Sequence, residues 1–319
     1  MFRIRSRSRD SRARSEAKPS GDRTVASKSA KPESHERERP SSTGRTTELF
    51  HRDRVTILGV LNVTPDSFSD GGRFADLAAA LAGARAQLAA GAHVLDVGGE
   101  STRPGAQPVT TVEEIARTRP VVEALAKELG APISIDTRRA EVAEAALDAG
   151  ACIVNDVSGG ADAALLRVAA QRGALVILGH LRGQPATMMR DIAFGDVVAE
   201  VGDELAAAIA RAEAAGIARE RIVADPGIGF GKRTAHNLAL LANVERFRAR
   251  LGVPILVGPS RKAFLGELTS EPVPARRDLS THAACAVAVF AGADAVRVHD
   301  VAGARIAAQV ALALREARR

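Results

Sequence analysis

The chain of 319 residues carries 44 Lys and Arg against 38 Asp and Glu, a formal net charge of +6. This length allows one large domain or two ordinary ones, and no apolar run reaches the roughly 18 residues that a membrane span needs. The two cysteines, Cys152 and Cys285, lie within apolar runs. Buried thiols in a reducing compartment are therefore favoured over a disulfide framework, and we expect a cytoplasmic location.

The positive charge is concentrated at the N-terminus. Residues 1–54 hold 15 Lys and Arg against 8 Asp and Glu, and the remaining 29 basic and 30 acidic residues nearly balance. Residues 1–50 are rich in Arg, Ser and Glu and have too few apolar side chains to fold, so they are predicted to be a disordered basic tail before a domain of residues 54–319. A polyanion tether is an open alternative. The acidic residues disfavour a cleaved transit peptide.

After Arg54 a strand followed by a helix recurs eight times. Short runs of Val, Ile and Leu predict strands at 55–61, 93–97, 132–135, 152–154, 175–178, 221–224, 254–257 and 295–298. Apolar residues three and four apart predict helices at 75–90, 112–129, 140–149, 163–171, 194–215, 235–251, 278–291 and 304–315. Seven glycines that directly follow a helix predict left-handed caps, at Gly91, Gly130, Gly150, Gly173, Gly216, Gly252 and Gly292.

The number and length of these units predict an α/β fold of the (β/α)₈ or TIM-barrel type. Eight strand–helix units over roughly 265 residues fit that barrel. A doubly wound open sheet is the alternative. It is disfavoured because no glycine-rich dinucleotide turn follows the first strand.

Polar residues follow almost every predicted strand. Each of them alone is explained by a helix cap or a turn. Together they predict one functional site, because the carboxyl ends of the strands of a TIM barrel meet at one face. The residues are Asn62, Asp96, Asp136, Asn155, His180, Asp225, Ser260, Lys262, Arg297 and His299.

Four of these residues suit a flat heterocycle. Asp136, Asn155 and Asp225 offer acceptor groups for ring N–H donors, and the ammonium of Lys262 is a donor for a ring carbonyl. An amino-pyrimidinone edge needs such a set. Burying two carboxylates is costly unless a ligand or a cation meets them. The alternative for Lys262 is a solvated loop lysine.

A second group suits an anion. Arg297 and His299 are two residues apart on the last strand, so their side chains share one face. The seventh and eighth strands are the usual neighbourhood of a phosphate site in these barrels. The alternative is that Arg297 pairs with Asp294 or Asp300.

Two loops add to the anion site. Residues 62–73 form a Pro- and Gly-rich loop that packing does not require, and Asn62 at its start can help to hold a divalent ion that bridges phosphate oxygens. The loop after the second strand supplies Thr102 and Arg103.

Three other kinds of site are disfavoured. The segment 225–232 is not a P-loop, because Pro226 replaces the first glycine of that motif and Arg233 its final Ser or Thr. No Cys/His cluster suggests a zinc site. No Ser, His and Asp occur in an order that suggests a hydrolytic triad.

Several long motifs, in order, resemble those of the dihydropteroate synthase family of pterin-binding TIM barrels, from about Val55 to the C-terminus. The motifs are Leu61-Asn-Val-Thr-Pro-Asp-Ser-Phe-Ser-Asp-Gly-Gly72, Asp96-Val-Gly-Gly-Glu-Ser-Thr-Arg-Pro-Gly105, Ser134-Ile-Asp-Thr137, Asn155-Asp156, Asp225-Pro-Gly-Ile-Gly-Phe-Gly-Lys232, Ser260-Arg-Lys262 and Arg297-Val-His-Asp300. Gly179 and Leu181 depart from the family, which commonly has Met at both positions. These departures suggest altered packing beneath the pterin.

The resemblance implies condensation of 6-hydroxymethyl-7,8-dihydropterin pyrophosphate with p-aminobenzoate, and a homodimer. It implies that the pterin is bound by Asp136, Asn155, Asp225 and Lys262, and the pyrophosphate by Arg297, His299 and, through Mg²⁺, Asn62. It also places Thr102, Arg103, Ser260 and Arg261 around p-aminobenzoate and the mobile loops. The residues implied in catalysis are Asp136, Lys262 and Arg297.

Three other functions stay open at this point. A corrinoid methyltransferase would share the acidic pterin pocket but has no use for Arg297 and His299. A non-catalytic relative would bind pterin without turnover. A polyanion-binding protein would use the tail. Nucleic acid is not expected as a partner, because the near-neutral barrel sequence lacks a basic groove.

Overall fold

The computed structural model describes residues 49–50, 53–63, 72–101 and 108–318, with residues 72–76 described as backbone only. Most of the predicted tail and the two loop residues Thr102 and Arg103 lie outside the described residues. Among the helices that are described, none is long and apolar enough to cross a bilayer.

Eight parallel strands form the sheet of the described chain, and they confirm the predicted TIM barrel. They are β1 (Thr56–Asn62), β2 (Val94–Gly98), β3 (Ile133–Asp136), β4 (Ile153–Asp156), β5 (Leu175–Gly179), β6 (Ile222–Asp225), β7 (Leu256–Val257) and β8 (Ala295–Val298). Their hydrogen-bonded order is β6-β5-β4-β3-β2-β1-β8-β7. A single parallel bridge between Ala224 and Ile255 closes the ring next to β7.

Ten α-helices lie within the described residues. They are α1 (Gly72–Ala90), α2 (Thr111–Glu128), α3 (Ala140–Asp148), α4 (Ala163–Gln171), α5 (Val197–Ala214), α6 (Thr234–Ala242), α7 (Val244–Leu251), α8 (Ala263–Thr269), α9 (Asp278–Phe290) and α10 (Val301–Ala317). All seven glycines predicted to cap helices have positive φ, from 60° to 115°.

Two features of the helices differ from the prediction. The single helix predicted at 235–251 is wrong, because the chain breaks at Asn243, which has φ −118° and ψ 26°. The Asn243 side chain donates to the carbonyl of Ala239 at 2.8 Å, so it occupies an acceptor at the end of α6. Helix α8 was not predicted, because its seven residues are too few to show a helical period.

Strand residues alternate between two apolar environments. Those on the outer face pack with the helices in the main core, among them Ile57, Val97 and Ile135. Those on the inner face form a second cluster at the amino end of the strands, with Leu58, Val94, Ile153, Leu175, Ile177, Val223, Leu256 and Ala295. Leu49 and Phe50 are buried in that second cluster, and Thr56 Oγ1 donates to the Leu49 carbonyl. These two residues therefore belong to the core of the barrel.

The inner face changes from apolar to polar over two residues. Because side chains alternate with a period of two, residues i and i+2 of a strand share a face. The pairs are Val94 and Asp96, Ile153 and Asn155, Val223 and Asp225, and Ala295 and Arg297, whereas on β3 both Ser134 and Asp136 are polar. The strands thus direct this polar set inward at their carboxyl ends.

Candidate active site

Arg297 is the centre of the polar set. Its Nε donates to Asp96 Oδ2 at 2.5 Å, and its Nη2 donates to Asp136 Oδ2 at 2.7 Å. Asn155 Nδ2 donates to the same Asp96 oxygen at 3.3 Å. One guanidinium therefore joins side chains from β2, β3 and β8, and the amide of β4 is linked to it through Asp96.

The alternative partners proposed for Arg297 are wrong. Asp294 pairs with Arg248 and accepts a hydrogen bond from the backbone N–H of Ile255 at 2.9 Å. Asp300 is the N-cap of α10, and its Oδ2 lies 2.9 Å from His282 Nε2. Both carboxylates are engaged by groups other than Arg297.

Asp225 faces the same space as Arg297. A Cβ placed on Gly258 would lie 3.8 Å from Arg297 Cβ and 4.0 Å from Asp225 Oδ2. The other carboxylate oxygen, Oδ1, accepts from the N–H of Gly227 at 2.8 Å. One carboxylate oxygen of Asp225 therefore stabilises the turn after β6, and the other oxygen is directed toward the Arg297 cluster.

Lys262 is held against the glycine-rich loop after β6. Its Nζ lies 3.7 Å from the centre of the Phe230 ring. A Cβ on Gly229 would come within 2.7 Å of Lys262 Cδ. The half-buried lysine is packed on the loop, so the interpretation of a solvated loop lysine is wrong.

Burial dominates the electrostatics of these acids. It raises the pKa of Asp136 to about 7, with Asp96 adding a like charge and Arg297 opposing the rise. Burial also raises the pKa of Asp225, against the opposing influence of Lys262. For Arg297, burial acts to lower the pKa, but the two carboxylates outweigh it, so the pKa is raised and the guanidinium stays charged.

Ser260 orients His299. The Ser260 hydroxyl oxygen accepts from the backbone N–H of His299 at 3.1 Å and lies 2.9 Å from His299 Nδ1. Both contacts use the same hydroxyl, so Ser260 fixes the position of the His299 ring after β8.

Asn62 lies at the end of β1 beside the acidic cluster. A Cβ on Gly98 would lie 3.7 Å from Asn62 Oδ1 and 3.8 Å from Asp136 Oδ2. No group of three or more His, Cys, Asp or Glu suited to a metal occurs in the described part of the chain. An amide oxygen fits Mg²⁺ as a single ligand, because Mg²⁺ is commonly held by few protein groups together with substrate phosphates and waters.

Arg261 is directed elsewhere. With φ 58°, it turns its guanidinium to Asp278 at the start of α9, at 2.7 and 2.8 Å. Its backbone N–H donates to Thr281 Oγ1 at 3.0 Å. Of the residues assigned to p-aminobenzoate, Ser260 joins the site through His299, whereas the guanidinium of Arg261 is fixed to α9.

Asp96 is the functional residue that the motifs left without a role. It is completely buried, and its Oδ1 has no hydrogen-bond partner among the described residues. The available signal was its spacing: Asp96 follows Val94 on the inner face as Asn155 follows Ile153. That spacing shows that Asp96 lies on the inner face of the barrel, but it does not show that Arg297 is its partner.

The backbone around position 179 explains why a glycine stands there. A Cβ at this position would lie 2.8 Å from the Cα of Val157, so no larger residue fits beside the backbone after β4. The glycine is therefore required by a close backbone approach, which accounts for the departure from Met.

The site as a whole combines buried acceptors with fixed cations in one space. Such an arrangement can bind a flat ring rich in N–H donors together with an anion.

A family model described as "Pterin binding enzyme" matches residues 58–299. The dihydropteroate synthase of Synechocystis sp. is 49% identical over 249 residues, which are 78% of this chain and 86% of that protein. The Yersinia pestis dihydropteroate synthase, solved as a sulfonamide drug complex, has a TM-score of 0.78 at 41% identity and covers 83% of this chain and 96% of its own. The Xanthomonas albilineans enzyme, solved with 4-aminobenzoic acid, has a TM-score of 0.77 at 44% identity, over 82% of this chain and 94% of its own.

Proposed function

Since the chain belongs to the dihydropteroate synthase family of pterin-binding enzymes, we propose that it condenses 6-hydroxymethyl-7,8-dihydropterin pyrophosphate with p-aminobenzoate. The products are 7,8-dihydropteroate and pyrophosphate, so the chain is a transferase of folate biosynthesis. The observation that carries this proposal is the pairing of Arg297 with Asp136 at 2.7 Å, because it joins an anion ligand directly to a ring ligand.

The pterin ring is assigned to the acceptor groups of the site. Asp225 and Asn155 receive its N–H groups, and Lys262 donates to its carbonyl. Asp136 lies beneath the ring, next to Arg297. A ligand that brings several N–H donors relieves the cost of burying these carboxylates.

The pyrophosphate is assigned to Arg297 and His299. A guanidinium has five N–H donors, and Arg297 uses Nε and one N–H of Nη2 for its carboxylates. The remaining donors of Arg297 are assigned to the anion, with the His299 ring beside them. These donors are fixed before the reaction, so they stabilise the negative charge that accumulates on the departing group.

The displacement is dissociative in this proposal. Departure of pyrophosphate leaves positive charge on the pterin methylene, which ionised Asp136 stabilises. The neutral arylamine of p-aminobenzoate then attacks the methylene and loses a proton. When bound at Asn62, Mg²⁺ supplies further charge neutralisation for the phosphate oxygens.

The p-aminobenzoate subsite is proposed next to Ser260 and His299. The binding of 4-aminobenzoic acid and of a sulfonamide by two similar enzymes supports it. Thr102 and Arg103 belong to this subsite in the proposal and lie outside the described residues. Arg261 contributes through its backbone position, since Asp278 engages its guanidinium.

A direct assay tests the activity. Purified protein is incubated with the pterin pyrophosphate, p-aminobenzoate and Mg²⁺, and both pyrophosphate and dihydropteroate are measured. We expect equal amounts of the two products, and no dihydropteroate without p-aminobenzoate. Binding of pterin without turnover would contradict the proposal and favour a non-catalytic relative, and methyl transfer from methyltetrahydrofolate to a corrinoid would favour a methyltransferase.

We also propose a homodimer. Helices α6, α8 and α9 expose a contiguous groove of apolar side chains that suits a second copy of the chain, lined by Leu238, Leu268, Leu279 and Val287. Leu279 is 82% exposed. Sedimentation should show a dimer that the double variant Leu279→Glu and Val287→Glu converts to monomer. Val112→Glu is the control, because Val112 is 77% exposed on another helix.

The cytoplasmic location stays a proposal. Cys285 is completely buried, and burial raises the pKa of its thiol to about 12. Such a thiol suits a reducing compartment.

A further inference from the structure

Lys232 is a buried lysine that the proposed mechanism does not use. Only 3% of it is exposed, at the end of the glycine-rich loop after β6. Burial lowers the pKa of its ammonium to about 7, with the carboxylate of Asp225 opposing that change. A buried ammonium is costly unless it is paired and hydrogen-bonded, so its surroundings need an explanation.

Three acceptors surround the ammonium. Lys232 Nζ lies 2.9 Å from the carbonyl oxygen of Phe230, 2.9 Å from His180 Nδ1 and 3.3 Å from the His180 carbonyl oxygen. A lysine ammonium has three N–H donors and no acceptor. His180 Nδ1 is therefore the acceptor, and the ring proton is on Nε2, which lies 2.9 Å from Glu204 Oε2. A continuous chain runs from Lys232 through His180 to Glu204.

This chain lies directly behind Asp225. The backbone N–H of His180 donates to the Asp225 carbonyl at 3.0 Å. Gly227, with φ 70°, donates its N–H to Asp225 Oδ1 at 2.8 Å, and a Cβ on it would lie 3.2 Å from Lys232 Nζ. The same Cβ would lie 1.9 Å from the His180 carbonyl oxygen. Only glycine therefore fits between the carboxylate of Asp225 and the ammonium of Lys232.

Lys232 and Lys262 approach the loop from different sides. Lys262 stacks on the Phe230 ring, whereas Lys232 binds the Phe230 carbonyl from within the protein. The loop that follows Asp225 is thus held between one half-buried cation and one buried cation.

We propose that Lys232 is a positioning residue for the pterin subsite: it fixes the loop through His180 and Phe230 and supplies the positive charge that keeps Asp225 ionised. This inference rests on the proposed function, in which Asp225 accepts N–H groups of the pterin. An ionised carboxylate only accepts hydrogen bonds, whereas a protonated one also donates and so mismatches two ring N–H groups.

Several charged groups act on the two partners. Lys262, Lys232 and Arg297 act on Asp225, and Asp225, Lys262, Glu204 and Arg182 act on Lys232. Removing the charge of Lys232 leaves Lys262 and Arg297 in place, so Asp225 then needs a higher pH to ionise. The substitution should therefore weaken pterin binding more at low pH than at high pH.

The test is calorimetric binding of 6-hydroxymethylpterin at pH 6.5 and pH 8.5. We expect Lys232→Met to raise Kd about tenfold at pH 6.5, because the Lys232 ammonium is charged at that pH and its loss leaves less of Asp225 ionised. At pH 8.5 the increase should fall below about threefold, because Lys232 has then lost its own proton and with it the charge that the substitution removes. In turnover, KM for the pterin pyrophosphate should rise while kcat changes little.

Two further variants complete the design. Glu204 is 42% exposed, so Glu204→Gln disturbs the core little. It should weaken pterin binding about twofold at pH 7, since its negative charge favours the protonated form of Lys232. Lys127→Met is the matched control, because Lys127 is 72% exposed and its ion pair is with Glu123, one helical turn away on the same helix. This control should bind the pterin as the wild type does.

The outcomes separate the two proposals. The inference is overturned if the ratio of the Lys232→Met Kd to the wild-type Kd is the same at both pH values. It is also overturned if Lys232→Met or Glu204→Gln binds the pterin as the wild type does. Either result leaves the proposed function intact. A wild-type protein that binds no pterin overturns the proposed function as well.

Discussion

The two ends of the barrel interior are built from the same strands, yet they have opposite chemistry. At the amino end, Val94, Ile153 and Val223 are buried in an apolar cluster that Leu49 and Phe50 complete. Two residues further along the same faces are a carboxylate, an amide and a second carboxylate. The amino end of the inner face is apolar, and its burial stabilises the fold.

The carboxyl end of the inner face is polar instead. Asp96 Oδ1 and Ser134 Oγ are buried without a hydrogen-bond partner among the described residues, and two carboxylates share one guanidinium. Buried charge of this kind adds little net stability, because desolvation offsets the Coulomb attraction. The comparison shows that one end of the strands stabilises the barrel, whereas the other holds buried polar groups that the described residues do not fully satisfy.

The largest expected effect comes from removing the central cation. Arg297→Met should lower turnover by about 10²- to 10³-fold, because a preorganised donor for the departing charge is lost. Pyrophosphate release measures this, and calorimetry with unphosphorylated pterin should show much weaker dependence on Arg297. Arg85→Met, at an arginine 56% exposed, is the control. Equal loss of pterin binding would show that the ring and anion subsites are not separate.

A matched pair on one strand compares the two ends directly. Ile153→Ala should lower the free energy of unfolding by about 2–5 kcal/mol, because it leaves a cavity in the apolar cluster, while turnover per folded molecule is kept. Asn155→Ala, two residues away, should weaken pterin binding and change the unfolding free energy less. Urea denaturation and steady-state kinetics on both variants provide the measurements. If the two variants lost the same amounts of stability and of pterin binding, the division between the two ends of the barrel would be contradicted.

Asp96→Asn should separate activity from stability at a single carboxylate. The bond to Arg297 loses its charge assistance, worth about 1.5–3 kcal/mol, so turnover should fall about 10- to 100-fold. The unfolding free energy should stay near the wild-type value, since one buried charge is removed at the same time. A large loss of stability with normal turnover per folded molecule would assign Asp96 to the fold alone.

The pH profile should reflect the buried acids at the carboxyl end. Burial raises the pKa of Asp136 to about 7, so the carboxyl gains a proton as the pH falls through that value. The protonated carboxyl no longer stabilises a cationic methylene. The kcat/KM profile should therefore have an acidic limb below about pH 7, with a drop of about tenfold per pH unit. Asp136→Asn should have low activity and no such limb. An unchanged limb in that variant would assign it to another group.

The smallest effect is expected from the N-terminal segment. Deletion of residues 1–40 should leave turnover and unfolding unchanged, because its composition predicts no folded core. Phe50→Ala should lower the free energy of unfolding, since Phe50 is buried at the amino end of the barrel. Thermal unfolding of the two proteins compares them. A marked fall in turnover on deletion would show that the tail has a part in function.

The sequence alone determined the repeating architecture and which strand residues lie on the inner face. Strand and helix periods are local properties, and the glycine caps depend on a single residue's φ, so both could be predicted from adjacent residues. The period of two also places Asp136, Asn155 and Asp225 on the inner face. The sequence could not locate the break at Asn243, because the apolar period continues across it.

The tertiary structure decided which of these groups meet. Arg297 is 201 residues from Asp96 and 161 from Asp136, whereas Asp294 and Asp300, the alternative partners considered from the sequence, are close to it along the chain. Lys232 and His180 are 52 residues apart, and their contact depends on how closely the loop after β6 passes over β5. A strand's period fixes the face of a side chain, but its partner depends on strand order and stagger around the closed barrel, which are properties of the whole sheet.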